Sequence, residues 1–340
     1  MPLSQKESPK HGGFDGVLDG TLDATWDPSQ KPSQRRGDEH LCTPGRVRIG
    51  ISGWRYKPWR GVFYPPGLPQ KKELGFASGA FDSIEINSTF YSLQSSESFL
   101  HWAADTPEDF VFAVKGPRYI THMRRLKDVS TPLANFFASG VLRLGRKLGP
   151  ILWQFPPNFR FEPGRIEDFL KILPRNTPAA SVLARRRDKR IVSKAYFKCS
   201  ADAPLRYAME IRHESFVTRE FVELLRTYDV ALVCADTVDW PRLMDLTADF
   251  VYCRLHGSEE LYVSGYDGPS LDTWANRVVA WACGREPADA ERVTGCDNPQ
   301  KRPREVFVYF DNDAKVRAPM DAQGLKTRIE DMFARMRMKK

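Results

Sequence analysis

Tyr207-Ala-Met-Glu210-Ile-Arg212-His213 is the stretch of sequence that decides the fold. Because side chains alternate between the two faces of a strand, Glu210 and Arg212 share one face, while Met209 and Ile211 share the other. A short strand with one apolar and one charged face is typical of a closed parallel barrel. Its apolar face packs on outer helices, and its charged face looks into the mouth of the barrel.

Similar segments recur along the chain and alternate with amphipathic, helix-like segments. The other predicted strands are 46–52, 83–87, 110–115, 150–155, 229–236, 250–256 and 305–310. The predicted helices are 96–104, 132–148, 165–173, 215–228, 270–283 and 321–336, and the segment 241–247 is too short for an outer helix. This order implies right-handed parallel crossovers and a (β/α)8 TIM-like barrel. The alternative is an open doubly wound sheet, which binds its ligand at one switch point and does not need a charged terminus on nearly every strand.

The barrel is predicted to span residues 46–336. Residues 1–45 are rich in Gly, Ser, Asp, Pro and Lys without hydrophobic periodicity, so we expect a disordered N-terminal extension. Two polar segments, 175–204 and 285–304, are interpreted as irregular insertions. The aromatic and proline-rich loop 53–66 is expected to line a pocket, the alternative being a plug that closes one barrel end.

Composition limits the cellular setting. The chain contains six scattered cysteines without a C-x-x-C spacing, which disfavours structural zinc and a disulfide framework and favours a reducing cytoplasm. No run approaches the roughly 18 apolar residues of a membrane helix, and the first thirty residues lack the apolar core of a secretory signal. We therefore expect a cytoplasmic protein without a membrane partner.

Polar side chains of inward parity collect at the predicted strand ends. These are Ser52, Glu85, Asn87, Lys115, Gln154, Glu210, Arg212, Asp236, Arg254, His256 and, just beyond the last strand, Asp313. In this fold the active site forms at the C-terminal face of the barrel. Burying so many charges is costly unless they pair or meet a ligand. The set therefore predicts an active site, and the structural alternative is a ring of salt bridges in which Lys115, Arg212 and Arg254 neutralise the two glutamates.

The favoured interpretation is an enzyme that acts on a small anionic or sugar-like substrate. Lys115, Arg212 and Arg254 would bind a sugar phosphate or a carboxylate. A carboxylate and His256 would then move protons as general base and acid. Lys115, desolvated beside other cations, is also a candidate amine nucleophile for a Schiff base. The catalytic candidates are Glu85, Lys115, Glu210, Asp236 and His256.

A divalent metal is the first alternative. Oxygen-rich sites with one imidazole often hold such an ion, and a bound metal would polarise a sugar carbonyl or a phosphate ester, as in an isomerase or a phosphoesterase. The three nearby cations argue against it. The ligands would be Glu85, Glu210, Asp236, His256 and Asp313.

Nucleic-acid binding is the second alternative. The formal net charge is +8, and arginines cluster at 124–125 and 185–190. Trp54, Tyr56 and Trp59 would serve as stacking surfaces beside them. Basic clusters on the rim of the mouth favour a polymer, whereas clusters on the flank of the barrel leave a small-molecule pocket.

Several ordered motifs resemble those of the DUF72 (YecE-like) family over about residues 46–320. They are Gly50-Ile-Ser-Gly-Trp54, Glu85-Ile-Asn-Ser-Thr-Phe-Tyr91, Phe112-Ala-Val-Lys115, Ile120-Thr-His122, Gln154-Phe-Pro-Pro157, Glu210-Ile-Arg-His213, Arg254-Leu-His-Gly257 and Tyr309-Phe-Asp-Asn-Asp313. The resemblance implies a TIM barrel and a loose relation to sugar isomerases. The matched positions include the strand-end set and add His122 and His213. Departures are the two insertions, the N-terminal tail, Asp311 where Asn is usual, and Glu214-Ser215-Phe216 where Pro-Ser-Trp is typical.

The motifs and the strand ends together give the candidates for substrate binding. These are Ser52, Trp54, Asn87, His122, Gln154, Arg212, His213, Arg254, Asn312 and Asp313.

Overall fold

The computed structural model describes residues 43–199, 201–257, 260–295, 301–313 and 315–338. The predicted N-terminal extension lies outside these residues except for 43–45. The second predicted insertion, 285–304, is described only in part.

Eight parallel strands form a closed barrel in sequence order. They are β1 (Val47–Ser52), β2 (Ser83–Ile86), β3 (Val111–Lys115), β4 (Leu148–Gln154), β5 (Tyr207–Glu210), β6 (Val230–Asp236), β7 (Phe250–Leu255) and β8 (Glu305–Phe310). Strand β1 pairs with β2 on one side and with β8 on the other, which closes the sheet. The (β/α)8 prediction is therefore confirmed, and the open sheet is excluded because it would leave two unpaired edges.

Helices surround the barrel. They are α1 (Glu73–Ala80), α2 (Ser88–Tyr91), α3 (Ser96–Ala104), α4 (Ser130–Ala138), α5 (Pro163–Ile172), α6 (Thr177–Ala184), α7 (Arg219–Thr227), α8 (Gly268–Ala282) and α9 (Arg317–Met338). The short segment between β6 and β7 contains no helix, as predicted. None of the described helices combines the length and apolarity that crossing a bilayer requires.

The prediction of one long helix over 132–148 is wrong. Helix α4 ends at Ala138, and a separate 3-10 segment covers Val141–Lys147. Gly140, with a φ of 125°, lies between them, and a Cβ there would come within 2.5 Å of the Ser96 Cα. The chain therefore turns at the one residue type that tolerates both the dihedral angle and the close approach.

Three helices, α1, α2 and α6, were not predicted from the sequence. Helix α6 lies inside the segment 175–204 that we expected to be irregular, and it packs against α4. A start signal was present, because the Asn176 side chain accepts a hydrogen bond from the Ala179 amide and Pro178 follows in the first turn. Helix α1 carries two glycines, which weakened its periodic pattern.

The interior of the barrel is unevenly filled. Strands β7 and β8 contribute large rings, among them Tyr252 and Tyr309, while β5 and β6 contribute small side chains such as Ala208 and Ala231. Large and small residues thus complement one another across the barrel. The Tyr252 hydroxyl donates to Glu85 Oε2 at 2.6 Å, so this aromatic layer supports the polar layer above it.

The aromatic loop after β1 is mostly packed rather than open. Trp59 is fully buried against Tyr56, Phe63 and Tyr64, with ring centroids 4.5–6.1 Å apart. The Tyr64 hydroxyl donates to the Trp54 carbonyl. From this cluster Tyr56 reaches the mouth, where its hydroxyl donates to the Ser52 carbonyl at 2.6 Å. Most of the loop is therefore packed beside the mouth instead of lining an open pocket, and Tyr56 reaches the site.

Two glycine substitutions test this packing. In Gly50→Ala the new Cβ would lie 1.8 Å from the Ser83 carbonyl oxygen, so β1 and β2 must separate. We expect a loss of at least about 2 kcal/mol in the free energy of unfolding, measured by urea titration. Gly79→Ala, in α1, meets nothing within 4 Å and is expected to be neutral or to stabilise by up to about 1 kcal/mol. If both substitutions changed the free energy of unfolding by the same amount, the pairing register of β1 with β2 would be contradicted.

Candidate active site

Arg254 is the centre of the site. It lies on β7, its side chain is fully buried, and it faces the barrel interior. Its Nε and Nη2 donate to the two oxygens of Glu85 at 3.1 and 3.0 Å. Its Nη1 donates to Glu210 Oε2 at 2.5 Å, and Nη2 also donates to Asp311 Oδ2 at 2.6 Å. One guanidinium therefore joins carboxylates from β2, from β5 and from the residue after β8.

The Glu85 carboxylate is saturated by further donors. Besides Arg254, Ser52 Oγ donates to Oε1 at 2.7 Å and the Tyr252 hydroxyl donates to Oε2 at 2.6 Å. Such a buried carboxylate is fixed in place, because its donors compensate for the lost water. Glu85 is thus placed as an anchor of the network.

The other two carboxylates, Glu210 and Asp311, are held in the charged form. Burial alone would raise the pKa of Glu210 and of Asp311, but the Arg254 charge outweighs it and holds both well below their usual range. Arg212 adds a second cation beside Glu210, with Nε and Nη2 at 2.8 and 2.7 Å from Oε1. Carboxylates with such low pKa values are weak bases near neutral pH.

Lys115 differs from the other charged groups. It ends β3, only 8% of it is exposed, and its Nζ lies 4.6 Å from the centre of the Phe90 ring. Within the described part of the chain, this ammonium group makes no hydrogen bond or ion pair. Burial and then the Arg254 charge lower the pKa of Lys115 to about 8, although Glu85, Asp311 and Glu210 act in the opposite direction.

Two aromatic side chains cover the mouth around His256, at the end of β7. Trp240 and Tyr262 flank the fully buried His256 ring, with centroids 5.5 and 5.4 Å away. The Arg212 guanidinium lies 4.1 Å from the Trp240 ring centre and donates to the Tyr262 hydroxyl at 3.2 Å. Burial and the Arg254 charge lower the pKa of His256, so its imidazole is neutral at pH 7.

His122 follows β3 and lies on the same side as Lys115. Its ring contacts Phe90 edge-on at 5.0 Å. Half burial, and then the charges of Arg212 and Lys115, lower the pKa of His122 to about 4. The cations on this side therefore create a positive potential that keeps the imidazole neutral.

The opposite side of the mouth carries acidic groups. Asp311 and Asp313 follow β8, and burial together with the Asp311 charge raises the pKa of Asp313.

Two predicted amide side chains also lie at the mouth. Asn87, after β2, keeps a buried Oδ1 without a hydrogen-bond partner among the described residues. Gln154 is buried at the end of β4. Most of the predicted strand-end residues are thus brought together at the mouth.

The predicted inward orientation of Asp236 is wrong. The inward residue at this level of β6 is Ala235, which pairs in register with Arg254, whereas Asp236 pairs with Leu255. The Asp236 carboxylate accepts from Arg242 Nη1 at 2.8 Å and from Trp274 Nε1 at 3.1 Å, in a separate outer network. Asp236 is therefore not placed to act on a substrate at the mouth.

Three predicted binding residues also lie elsewhere. Asn312 donates its amide to the Ser264 carbonyl and to Asp321, which ties the end of β8 to α9. Trp54 packs edge-on against Trp102 at 5.4 Å in the outer core. His213 Nδ1 accepts from the Ser215 amide at 3.0 Å and so caps the turn after β5.

Asp311 was missed as a site residue. Its inward parity follows from Phe307 and Tyr309 on β8, so the signal was available in the sequence. In the sequence Asp311 stands out only as a departure from the family pattern, and Asp313 was predicted as the site residue instead. Trp240 and Tyr262 lie in loops, where no periodicity marks a residue as facing the site.

The proposed metal ligands do not form one donor set. Asp236 lies in the outer network, and Glu85 and Glu210 are engaged by Arg254, whose charge occupies the position a cation would need. Among the residues that the structure describes, no three or more His, Cys, Asp and Glu side chains are grouped to hold a metal ion.

The two basic clusters occupy different surfaces. Arg125 lies in the loop after β3 and donates to the Asn158 carbonyl in the loop after β4, at the rim of the mouth. The 185–190 cluster follows α6, where the Asp188 amide donates to Asn135 of α4 on the flank of the barrel. Arg185 and Arg187 stack on Phe197 there, each 5.0 Å from the ring centre.

The fold and the site define a (β/α)8-barrel protein with a charged site at the C-terminal mouth. The chain belongs to the DUF72 family, because the family model described as "Protein of unknown function DUF72" matches residues 48–340. This confirms the resemblance read from the motifs.

Curated relatives match over shorter lengths. The UPF0759 protein YunF of Bacillus subtilis is 30% identical over 118 residues, which cover 33% of this chain and 41% of YunF. The UPF0759 protein YecE of Escherichia coli K12 is 24% identical over 173 residues, 51% of each chain. The matches therefore span about half or less of the length of these relatives.

Solved structures of DUF72 family proteins share the fold. The protein TM1631 from Thermotoga maritima superposes with a TM-score of 0.63 at 25% identity, covering 84% of this chain and 99% of that one. The protein EF0366 from Enterococcus faecalis V583 superposes with a TM-score of 0.60 at 14% identity, covering 84% and 95%. The second likeness, at this low identity, supports the barrel alone.

Removing the central guanidinium should destabilise the protein strongly. Arg254→Met leaves three buried carboxylates without their shared cation, and we expect a loss of about 3–5 kcal/mol in urea unfolding at pH 7. The deficit should shrink as pH falls through the acid range, because protonation removes the unpaired charge. Arg328→Met, which breaks an exposed pair with Asp272, should cost less than about 1 kcal/mol. Similar losses in both variants would argue against the central role of Arg254.

Lys115 should give the protein a distinctive alkaline pH dependence. Its folded-state pKa of about 8 lies below the unfolded value of 10.5, so the unfolded chain binds more protons between these pH values. The wild type therefore gains stability from this residue as pH rises through that window, by up to about 3 kcal/mol relative to Lys115→Met. Lys115→Arg stays charged throughout and should not show this gain. Urea titrations at pH 7 and pH 10.5 measure the difference, and a constant difference would refute the lowered pKa.

Proposed function

We propose that this protein is an enzyme that uses acid–base chemistry on a small anionic or sugar-like substrate at the barrel mouth. The observation that carries the proposal is Lys115, a nearly buried amine that makes no ion pair within the described residues. Buried lysines are normally paired, because an unpaired charge costs stability. A strand-end amine kept in this state, with a pKa near working pH, is typical of a functional group.

Arg212, close to Lys115, is suited to hold an anion. The Arg212 guanidinium is fixed on three sides. Its Nε and Nη2 bind Glu210, Nη2 also donates to the Tyr262 hydroxyl, and its flat face lies over Trp240. Its Nη1 has no hydrogen-bond partner among the described residues, so that edge is available to a carboxylate or phosphate. The lowered pKa of His122 supports a positive potential at this place.

Hydroxyl groups of a sugar-like substrate have partners nearby. Asn87 Oδ1 and Trp240 Nε1 are buried polar atoms without a partner in the described part of the chain. Such atoms are rare in folded proteins and are usually satisfied by a ligand or water. One accepts and the other donates a hydrogen bond, which suits a polyol.

The catalytic roles follow from the pKa values. Glu210 and Asp311 are held ionised and are weak bases, so they shape the electric field. His256 is neutral and shielded by aromatic rings. Lys115 is the group that gains and loses a proton near neutral pH, as an isomerase or lyase reaction requires.

The described cysteines 199, 234, 253 and 283 are free thiols, which supports a reducing cytoplasm as the setting.

A stabilisation screen tests the proposal. We expect at least one phosphorylated or carboxylated metabolite to raise the melting temperature, since a ligand at a hundred times its Kd adds about 2.7 kcal/mol to the native state. Arg212→Ala and Lys115→Ala should lose this response. Arg328→Ala, on the α8–α9 surface, should retain it. The anion site would be refuted if neutral polyols raised the melting temperature as much as anions do. It would also be refuted if Arg212→Ala kept the full response to anions.

A further inference from the structure

We propose that Lys115 acts as an amine nucleophile, forming an imine with an aldehyde or ketone that carries an anionic group. This inference rests on the proposed function and names its substrate class. The sequence left Lys115 open as an anion binder, a proton carrier or a nucleophile, and the contacts around it favour the last.

The amine is held on a rigid element. Lys115 is the last residue of β3, and its own carbonyl accepts a hydrogen bond from Thr89 Oγ1 at 2.7 Å. The same hydroxyl also bonds the Ile86 carbonyl, which pins the start of α2 to the strand end. Helix α2 carries Phe90, whose ring lies against the Lys115 Nζ. Nucleophile and apolar wall are therefore fixed relative to each other.

None of the carboxylates that the structure describes immobilises this amine. Glu85, Glu210 and Asp311 are near enough to act on its pKa, but all three bond to Arg254 instead. Lysine is activated as a nucleophile when it is desolvated beside another cation, because the neutral amine is then favoured. The arrangement around Arg254 supplies both conditions.

Lys147 shows what a structural lysine looks like in this chain. It is also partly buried, and burial lowers its pKa. Its Nζ, however, donates to the carbonyls of Ala103 and Thr106 and to Thr106 Oγ1, at 2.6, 2.8 and 3.1 Å. All three protons of Lys147 are thus engaged, whereas those of Lys115 have no acceptor among the described residues. Lys147 is therefore a natural control for partial burial without reactivity.

The reaction needs only substrate and releases only water. The nitrogen lone pair of neutral Lys115 adds to the carbonyl carbon, and the amine proton passes to the oxygen to give a carbinolamine. Loss of that hydroxyl as water, with the second amine proton, forms the C=N bond. Protonation of the imine gives a cation that Glu85, Glu210 and Asp311 stabilise, as they favour the charged form of the lysine. The cation draws electrons from the adjacent carbon, which isomerases and lyases exploit.

Reductive trapping tests the inference. The 340-residue chain is incubated at pH 8 with glyoxylate, an anionic aldehyde, and sodium cyanoborohydride, and the modified lysines are mapped by peptide mass spectrometry. Roughly half of Lys115 is then neutral, against less than about 1% of an ordinary lysine. We expect carboxymethylation of Lys115 to exceed that of Lys147 by at least about tenfold. Arg212→Ala should reduce this preference, and neutral glycolaldehyde should show a weaker one.

Lys115→Arg is the matched variant, because it keeps the charge but cannot form an imine. It should lose the selective adduct while melting close to the wild type. Adducts spread over other lysines with Lys115 unmodified in the folded wild type would overturn the inference. If anionic metabolites still stabilise the protein in that case, the proposed function stands and only the covalent step fails. If neither labelling nor stabilisation is seen, both proposals fail.

Discussion

The chemistry of the mouth depends on the single guanidinium of Arg254. A buried carboxylate stays ionised only when donors replace its water, and this side chain supplies donors to Glu85, Glu210 and Asp311 at once. The three acids meet there because the closed barrel brings β2, β5 and the end of β8 around β7. Since Arg254 binds all three, Glu210 and Asp311 are weak bases, and Lys115 has no hydrogen-bond or ion-pair partner among the described residues. The reactive group of the site is therefore the Lys115 amine and not one of the carboxylates.

The aromatic layer below explains why this network is rigid. Tyr252 and Tyr309 fill the space opposite the small residues of β5 and β6, and their hydroxyls bond Glu85 and Ser83 at 2.6 Å. A polar network with every member satisfied is held more tightly than a partly satisfied one. Two of the buried polar atoms without a partner in the described chain, Asn87 Oδ1 and Trp240 Nε1, lie toward the mouth. A binding site requires a rigid network beneath it and hydrogen-bonding groups that remain free to meet a ligand above it.

Strand order and most of the central charges were predictable from the sequence, because β2, β5 and β7 each carry a charged residue that sets the phase of the alternation. Strand β6 carries a charge only at its last position, Asp236, and that side chain faces outward. Its residues Val230–Asp236 are buried on both faces, so nothing in the sequence tells which parity looks inward, and Asp236 was assigned to the wrong face. Helix α6 and the covering rings of Trp240 and Tyr262 depend on packing between distant segments, which periodicity does not record.

The division of charge across the mouth constrains how a substrate can lie. Arg212, Lys115 and His122 are on the side of β3 and β5, whereas Asp311 and Asp313 follow β8 on the other side. An anion placed against Lys115 would favour its protonated form and suppress the neutral amine. A substrate must therefore put its anionic group on the free edge of Arg212 and its reacting carbon over the amine. Arg212 then sets the orientation, and because His122 and His256 are both neutral at pH 7, Lys115 sets the pH response of the site.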